Sequence, residues 1–564
     1  MDFTRQSEYD LRTEFSTYIK ANVETYLDKF SQNYKNKIGY FIQYPLILLE
    51  SLFESAYPEY YRINTDRHIL SWFILEMKNR LPDCSPVFVY DVEDYNDFKG
   101  QYSNIKKVYS DLQYSLQLSD MFSISKIALL KNDLELSFKK PILSDEYADV
   151  GVYYLGLDDK KNFNEESEAV QKVVEYLHNY YPYFKKIRVH PFLLPEKKYL
   201  SQLKGLTSNF DIRLLELCFE RVKQDTKKLG GNIKSQLIEN YETLNKILGI
   251  LFYLGQVTLY RYKAFDAHHR FNLEDTLITF DYEWLINKIE GLTLIPSVII
   301  ERYINYFVLD SGGTLTEFPL IKYQGKIHFV PSSTVLNDWQ FSLVNGHYFR
   351  NIIFTNRDTT ISSSIINELI KNVQMHSNIR FIHEKYYEFG TNGEKDNSDI
   401  DFAIYDIESN ELLVIECKWK DNVYLPSEDF VKITRTINEI YNKQLDKHKA
   451  FLEMSKGNID LIFNKDPDVV KLSEKVSITY IALDKRVQFH LGGKHLLPIY
   501  TMMHLLEKFS NGKKLYLREL INEIGTLKTN VCYEGNCVTK LRTSKKIEGT
   551  EYEINLCGVH SDYL

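Results

Sequence analysis

Apolar side chains recur at helical spacing in two long parts of the chain. Residues 1–85 and 161–310 both carry amphipathic helical patterns, and the second part is interrupted at Gly230–Gly231 and near Pro296. In the first part the helical row is formed by Phe41, Leu46, Leu48, Leu49, Leu52 and Phe53. We therefore expect two helical regions within the first 310 residues.

A strand-rich segment is predicted between these two helical regions. Within residues 86–160, the runs 86–90 and 150–155 are short, β-branched or aromatic, and bounded by Asp, Asn or Gly. Such runs are typical of strands, whereas helices need longer periodic segments.

A hairpin is predicted in residues 311–349, with its turn at Gln324–Gly325. The breaker Ser311–Gly313 precedes it and Pro331 ends it. We interpret these residues as a connector and place a domain boundary within or just after them.

A second hairpin is predicted between residues 397 and 420, with its turn at residues 408–410. Its second strand, residues 412–419, alternates two rows of side chains that are apolar on both faces until the strand ends. A strand of this kind is covered on both faces and lies inside a sheet. Glu416 and Lys418 share one of these faces and project together from the carboxyl end of the strand.

Composition narrows the class of protein. A chain of 564 residues with 26% charged and 44% hydrophobic residues is a multidomain globular protein, and it is neither disordered nor fibrous. The net charge of −8 provides no global attraction for nucleic acid, although a local groove can still bind it. Six cysteines without a dense framework fit a reducing compartment, so we expect a cytoplasmic protein. No secretory signal is recognised, and the apolar run 247–260 is too short to span a membrane.

The charged end of the 412–419 strand is the strongest candidate for chemistry. A buried carboxylate and ammonium are costly unless a partner compensates them, and a divalent metal with a phosphate substrate would do so. Asp401 lies across the hairpin from Glu416, and neighbouring strands are about 4.8 Å apart, so the two acids can share one ion. Mg²⁺ favours a few carboxylates together with waters and substrate oxygens.

Asp401 followed by Glu416-x-Lys418 on a hydrophobic strand resembles the PD-(D/E)XK nuclease superfamily, which has the restriction-endonuclease-like fold. The resemblance covers residues 350–505 and implies an α/β core of one helix, three strands, a helix and a further strand (αβββαβ). The matching segments are residues 361–373, 379–389, the two strands of the hairpin, 429–451 and 476–483. Ile400 replaces the proline of the family motif, and Asp399 is a rival to Asp401.

The resemblance also implies the roles of individual residues. Asp401 and Glu416 would hold Mg²⁺ or Mn²⁺, the main-chain carbonyl of Cys417 would be a further ligand, and Lys418 would be the catalytic lysine. Two accessory catalytic positions are Glu368 on the first helix and Gln444 on the second. Gln444 falls in an otherwise apolar helical row with Phe430, Ile433, Ile437, Ile440 and Phe451, where a polar side chain needs a partner.

The C-terminal appendage, residues 506–564, contains a possible zinc set. Its members are Cys532, Cys537, Cys557 and His560. Three thiols and an imidazole can form a structural zinc site, but the C-x4-C spacing is looser than the usual C-x2-C. We favour the alternative that these are small buried residues of two strands. We expect the isolated histidines His190, His268 and His269 to be structural or to lie on the surface.

The sequence therefore predicts an α+β multidomain protein. A mixed N-terminal region of helices and strands would precede the nuclease core and the appendage. The predicted function is a metal-dependent nuclease that acts on DNA, of the kind found in prokaryotic genome defence or restriction. The alternative is a catalytically silent nucleic-acid-binding or assembly subunit with the same fold. A partner protein or a homo-oligomer is compatible with either. The chain has no G-x-x-x-x-G-K-[ST] motif, so any ATP dependence would come from a partner.

Overall fold

The computed structural model describes most of the chain and shows an α+β protein. The described residues are 3–56, 63–80, 88–120, 126–131, 134–135, 149–152, 171–180, 205–227, 233–266, 276–310, 312–337, 339–355, 363–391, 394–418, 439–471, 476–484, 487–491, 494–526, 540–547 and 550–557. They belong to two compact units, one of residues 17–114 with 155–357, the other of residues 1–16 with 115–154 and 358–564. None of the helices within the described residues is both long and apolar enough to cross a membrane.

Helices dominate the part of the chain before residue 357. They are α1 (Phe3–Tyr34), α2 (Gln43–Ser55), α3 (Asn64–Lys78), α4 (Val92–Asp120), α5 (171–180), α6 (Ile212–Lys227), α7 (Tyr241–Asp266), α8 (Tyr282–Thr293), α9 (Ser297–Tyr306), α10 (Ser332–Val335) and α11 (Trp339–Phe349). Their buried faces carry the predicted apolar rows; Leu46, Leu49 and Phe53 of α2, for example, are fully buried. The two predicted helical regions are confirmed in these residues.

The strand-rich prediction for residues 86–160 is wrong in its first half. Residues 92–120 form α4, which begins where the Asp91 carboxylate accepts hydrogen bonds from the amides of Glu93 and Asp94. One face of α4 is buried through Tyr95, Phe98, Tyr102 and Ile105, whose spacing of three and four residues is helical. In the second half, β3 (Asp149–Val152) falls on the predicted run 150–155, and β1 (Lys126–Lys131) and β2 (Leu134–Glu135) are further strands, whereas residues 88–90 of the other predicted run are not in a strand.

The predicted hairpin in residues 311–349 is confirmed. Strands β5 (Ile321–Tyr323) and β6 (Lys326–Phe329) pair antiparallel, and β6 also pairs with β4 (Ile278–Asp281). The turn residues Gln324 and Gly325 both have positive φ, +46° and +70°, as a tight two-residue hairpin turn requires.

A seven-stranded mixed sheet forms the centre of the second unit. Its order is β3-β11-β12-β10-β9-β8-β7. The further strands are β7 (Ile379–Thr391), β8 (Glu394–Asp406), β9 (Glu411–Cys417), β10 (Ser477–Asp484), β11 (Val487–Leu491) and β12 (Lys494–Pro498). β10 runs parallel to β9 and β12, and the other neighbours are antiparallel. Because β3 is the partner of β11, this sheet includes a strand from outside the predicted 350–505 domain.

Helices cover both faces of this sheet. They are α12 (Ser363–Val373), a π-helical turn (Ile440–Leu445) that continues into α13 (Asp446–Met454), α14 (Lys456–Ile462), α15 (Pro467–Val470), α16 (Ile499–Lys508) and α17 (Leu517–Thr526). Two smaller sheets complete the unit. One is the hairpin of β13 (Ser510–Asn511) and β14 (Lys514–Leu515). The other has four strands, in which β15 (Lys540–Ile547) and β16 (Thr550–Cys557) join β1 and β2.

Strand β9 is buried on both faces, as predicted from its sequence. Leu413, Ile415 and Cys417 pack into a core cluster with α12, α16 and α17. Leu412 and Val414 pack into a second cluster with α13 and α14. We call these two sides of the sheet the α12 face and the α13 face.

Midway along β7 and β8, the odd-numbered and even-numbered side chains of each strand switch to the opposite face of the sheet. Before Glu384, odd-numbered residues of β7 such as Ile379 pack on the α12 face, whereas after it Tyr387 and Phe389 pack on the α13 face. The pairs His383–Phe402 and Lys385–Ile400 keep the same register across this point, and Glu384 has a φ of +46°. The inversion is therefore a local backbone twist at Glu384, opposite Asp401, and involves no inserted residue.

Beyond this twist, β7 and β8 continue as a two-stranded ribbon. It consists of residues 385–391 paired with residues 394–400, while β9 pairs only with the part of β8 from Phe402 to Asp406. The ribbon therefore begins at Asp401, where β9 reaches its carboxyl end.

Candidate active site

The carboxylate of Asp401 takes the place of a backbone carbonyl between β8 and β9. The backbone pairing of these strands ends at Phe402–Ile415. The next amide of β9 that faces β8, that of Cys417, donates to Oδ2 of Asp401 at 2.7 Å. Since the N–H and C=O of one strand residue point to the same side, the Cys417 carbonyl also lies toward Asp401. The three predicted metal ligands, Asp401, Glu416 and the Cys417 carbonyl, are thus neighbours.

Glu416 is buried and engaged through both of its carboxylate oxygens. Lys418 Nζ lies 2.6 Å from Oε1, and His448 Nε2 lies 3.2 Å from Oε2. The side chain of Glu416 is 4% exposed and that of Lys418 is 26% exposed. The structure therefore brings the predicted Asp401, Glu416 and Lys418 together on the α13 face, and it adds His448 from α13.

His448 is held from its other ring nitrogen by Tyr387. The Tyr387 hydroxyl lies 2.6 Å from Nδ1 of His448, and the ring of Tyr387 stacks on Phe451 with 4.0 Å between centroids. His448 is fully buried and Tyr387 is 3% exposed. Tyr387, His448 and Glu416 thus form a buried chain of hydrogen bonds that links the ribbon, α13 and β9.

The two acids of the site have opposite pKa shifts. Burial, with the neighbouring charge of Glu416, raises the pKa of Asp401 to about 7. Burial alone would also raise the pKa of Glu416, but the hydrogen bond from His448 and the charge of Lys418 outweigh it and lower that pKa. Near neutral pH Glu416 is therefore ionised, and Asp401 is the group that takes up a proton.

With a neutral His448, the site lacks one positive charge. Two carboxylates face one ammonium, that of Lys418, whose own pKa is raised because the attraction of Glu416 and Asp401 exceeds the effect of burial. Within the described residues, no other lysine or arginine contacts either carboxylate, and His448 adds a positive charge only when it is protonated. A proton or a metal cation can supply the missing charge.

The rival ligand Asp399 lies outside this cluster. It is paired in register with Tyr386 on the ribbon and its side chain is exposed. Its charge makes only the smallest of the contributions that raise the pKa of Asp401. The geometry therefore favours Asp401 over Asp399 as the partner of Glu416.

Within the described residues, no hydrogen bond or ion pair joins the two accessory positions, Gln444 and Glu368, to this cluster. Gln444 lies in the π-helical turn and is half-buried, while the inward position is taken by Leu445, which is 2% exposed. The wider π turn shifts the helix face by one residue, so the α-helical row that pointed to Gln444 continues instead through Leu445 and His448. Glu368 is half-exposed on α12 and forms an ion pair with Lys371 at 2.7 Å.

Most of the possible zinc set lies outside the described residues. This applies to Cys532, Cys537 and His560, and Cys557 is described only as the last backbone position of β16. The isolated histidines His190, His268 and His269 also lie outside them. Within the described part of the chain, no group of three or more His, Cys, Asp or Glu side chains is arranged to hold a metal ion.

Known proteins give no guide to this site. No protein-family model matches the chain, and neither curated proteins nor solved structures give a significant match. The assignment of chemistry therefore rests on the residues and their geometry.

Sequence reasoning missed His448 and Tyr387. A signal for His448 was present, because it is four residues after Gln444 and three before Phe451, on the same side of an α-helix. Tyr387 could not be placed by strand alternation, since the twist at Glu384 moves it to the opposite face of the sheet.

Proposed function

We propose that this protein is a metal-dependent nuclease that hydrolyses phosphodiester bonds, with DNA as its substrate. The observation that carries the proposal is the buried cluster of Asp401, Glu416 and Lys418 with one unbalanced negative charge. A site that only stabilised the fold would gain little from such an imbalance, because burying an uncompensated charge is costly.

The residues fit a magnesium or manganese ion. Asp401 and Glu416 supply carboxylate oxygens, and the carbonyl of Cys417 faces the same side, which is the oxygen donor set that Mg²⁺ and Mn²⁺ accept. The Cys417 thiol is buried in the α12 face, away from this donor set, and burial raises its pKa well above the usual range. When bound, such an ion would polarise a phosphoryl oxygen and activate a water molecule.

Lys418 is the group best placed to act on a substrate. Its ammonium is charged, and its side chain is the most exposed of the Glu416–Lys418 pair. A flexible four-carbon stem can move the ammonium from Glu416 to a phosphate oxygen, where it would stabilise the negative charge that develops during hydrolysis.

The order of elements around the site supports the restriction-endonuclease-like interpretation. Helix α12, strands β7, β8 and β9, the π turn with α13, and strand β10 follow one another as the αβββαβ core requires. β10 lies beside β9 and runs parallel to it. The proposed core differs from the predicted one in that β11, β12 and β3 extend the sheet beyond β10.

The unit of residues 17–114 and 155–357 is proposed to direct or restrain the nuclease. It supplies none of the three catalytic candidates, which all lie between residues 401 and 418. This arrangement is the kind that genome-defence or restriction enzymes use, and we propose such a role for the whole chain.

Cleavage assays on the full-length protein test the proposal. Plasmid, linear and single-stranded DNA, and RNA, are incubated with and without Mg²⁺ or Mn²⁺. We expect divalent-dependent cutting of DNA that Asp401→Ala and Glu416→Ala each abolish while the protein remains folded, with Asp399→Asn as the matched control. Cutting at parental rates by both alanine variants would show that the site is assigned wrongly. Divalent binding without cleavage of any substrate would favour the silent subunit.

A further inference from the structure

A buried chain of hydrogen bonds contacts the Oε2 oxygen of Glu416. His448 Nε2 lies 3.2 Å from Oε2 of Glu416, and the Tyr387 hydroxyl lies 2.6 Å from Nδ1 of His448. When the Tyr387 hydroxyl donates to Nδ1, the imidazole proton lies on Nε2 and is donated to Glu416.

The hydrogen-bonded chain of Tyr387 and His448 contacts only one of the two carboxylate oxygens of Glu416. Oε2 accepts from His448, and Oε1 points to Lys418 on the partly exposed side of the site. A carboxylate fixed in this way cannot rotate freely, so Oε1 is held where a cation next to Asp401 would find it. In metal sites, residues that hydrogen-bond to the ligands tune both affinity and orientation.

The backbone is distorted to bring Tyr387 to this place. In a regular strand Tyr387 would share a face with Ile379 and Phe381, which pack on the α12 face. The positive φ of Glu384, +46°, inverts the strand, so that Tyr387 reaches His448 on the α13 face instead. A non-glycine residue in this conformation is unfavourable, and such residues cluster at functional sites.

We propose that Tyr387 and His448, here called the anchor pair, are positioning residues that fix Glu416 as a ligand through its Oε1 oxygen. The inference rests on the proposed function, because it assigns the anchor pair a role at the same metal site. Neither residue touches the substrate or the metal. Their effect passes through Glu416, so it should show in the affinity for the metal ion and in kcat, with no change in the KM for nucleic acid.

Calorimetric titration of the full-length protein with Mn²⁺ at one fixed pH tests the anchor pair. We expect His448→Leu to weaken Mn²⁺ binding by about 10–100-fold, as loss of a supporting hydrogen bond to a ligand does elsewhere. His448→Gln, which still offers an N–H to Glu416, should recover most of the affinity. Tyr387→Phe should lower the affinity in the same direction, although its ring still stacks on Phe451.

Two control variants separate positioning from general damage. Tyr386→Phe removes the hydroxyl of the adjacent, exposed tyrosine, which bonds to Glu388, and should bind Mn²⁺ like the parent protein. His504→Leu repeats the histidine change at an exposed position on α16 and should also leave the affinity unchanged. Thermal unfolding of each variant in chelator confirms that the protein is folded.

The outcomes distinguish this inference from the proposed function. Equal Mn²⁺ affinity in the parent, His448→Leu and Tyr387→Phe proteins overturns the anchor pair even if the parent cuts DNA. A parent that binds Mn²⁺ and cuts nothing refutes the nuclease, yet the affinity comparison still supports or overturns the anchor pair. A parent that binds no Mn²⁺ overturns both. Weakened binding in the two variants, with recovery in His448→Gln, supports the anchor pair.

Discussion

Asp401→Asn should make the metal-free protein more stable at alkaline pH. Asparagine has almost the same shape, and its Oδ1 can still accept the hydrogen bond from the Cys417 amide. Its uncharged amide can face Glu416 without repulsion. The substitution therefore removes the unbalanced charge and leaves the packing of the site unchanged.

The magnitude follows from the pKa of Asp401, which rises from 3.8 to about 7 on folding. A group whose pKa is raised in the folded state contributes stability that is complete below the unfolded pKa and is lost as the pH rises through the folded pKa. At about 1.4 kcal/mol per pKa unit, the raised pKa of Asp401 lowers the stability of the folded state by up to about 4 kcal/mol at pH 8.5, and by about 1 kcal/mol at pH 4.5, where Asp401 ionises mainly in the unfolded chain. Asparagine avoids this cost at both pH values.

Calorimetric unfolding in chelator measures the effect. A gain of about 4 kcal/mol in unfolding free energy at pH 8.5 corresponds to an increase in Tm of at least about 8 °C for a unit of this size. The gain in free energy at pH 4.5 should be about a quarter of the gain at pH 8.5. Asp399→Asn, the same change on an exposed carboxylate two residues away, should shift Tm by about 1 °C or less. Saturating Mn²⁺ should raise the Tm of the parent protein above that of Asp401→Asn, because the ion stabilises only the protein that binds it.

Two results would refute the reasoning. In one, Asp401→Asn melts no higher than the parent at pH 8.5 in chelator. In the other, it gains the same increment at both pH values, which would mean that the benefit does not come from the charge of Asp401.

Three further predictions concern separate features. Glu384→Gly should keep or raise Tm because glycine readily adopts positive φ, whereas Glu384→Val should lose about 1–2 kcal/mol of unfolding free energy, measured by calorimetry. Lys418→Ala should lose divalent-dependent cleavage and retain most of its Mn²⁺ affinity, since an ammonium is not a ligand; a large loss of affinity in titration would contradict this division of roles. Elemental analysis should find no tightly bound zinc in the purified protein, and stoichiometric zinc that Cys532→Ser removes would overturn our preference for a metal-free tail.

The centre of the site could be predicted from sequence because it depends on local rules. Apolar residues on both faces of β9 place Glu416 inside a sheet, and a hairpin with its turn at residues 408–410 places Asp401 beside it. The turn itself follows from local chemistry, since Asp406 accepts hydrogen bonds from the Glu408 amide and the Ser409 hydroxyl. These interactions involve residues that are close in the chain.

The parts that sequence reasoning missed depend on departures from regular periods. The π turn at Ile440–Leu445 adds a fraction of a residue to the helical repeat, and this puts Leu445 where an α-helix would put Gln444. The positive φ of Glu384 reverses strand alternation, which hides the contact of Tyr387 with His448. Helix α4 was mistaken for part of a strand-rich segment because its buried positions are mostly aromatic, and aromatic residues also favour strands.

In the proposed nuclease, the ribbon beyond Asp401 would limit the direction from which a nucleic acid approaches. Its seven residue pairs extend about 20 Å from the site at roughly 3.3 Å per residue. Residues 385–400 carry four acidic and two basic side chains, a net charge of −2, and one of these acids, Asp396, is paired with Lys447. This charge would repel the phosphate backbone of a nucleic-acid substrate. The scissile strand of a substrate of the proposed nuclease should therefore enter past Lys418, and charge reversal on the ribbon would broaden the range of substrates by opening a second path.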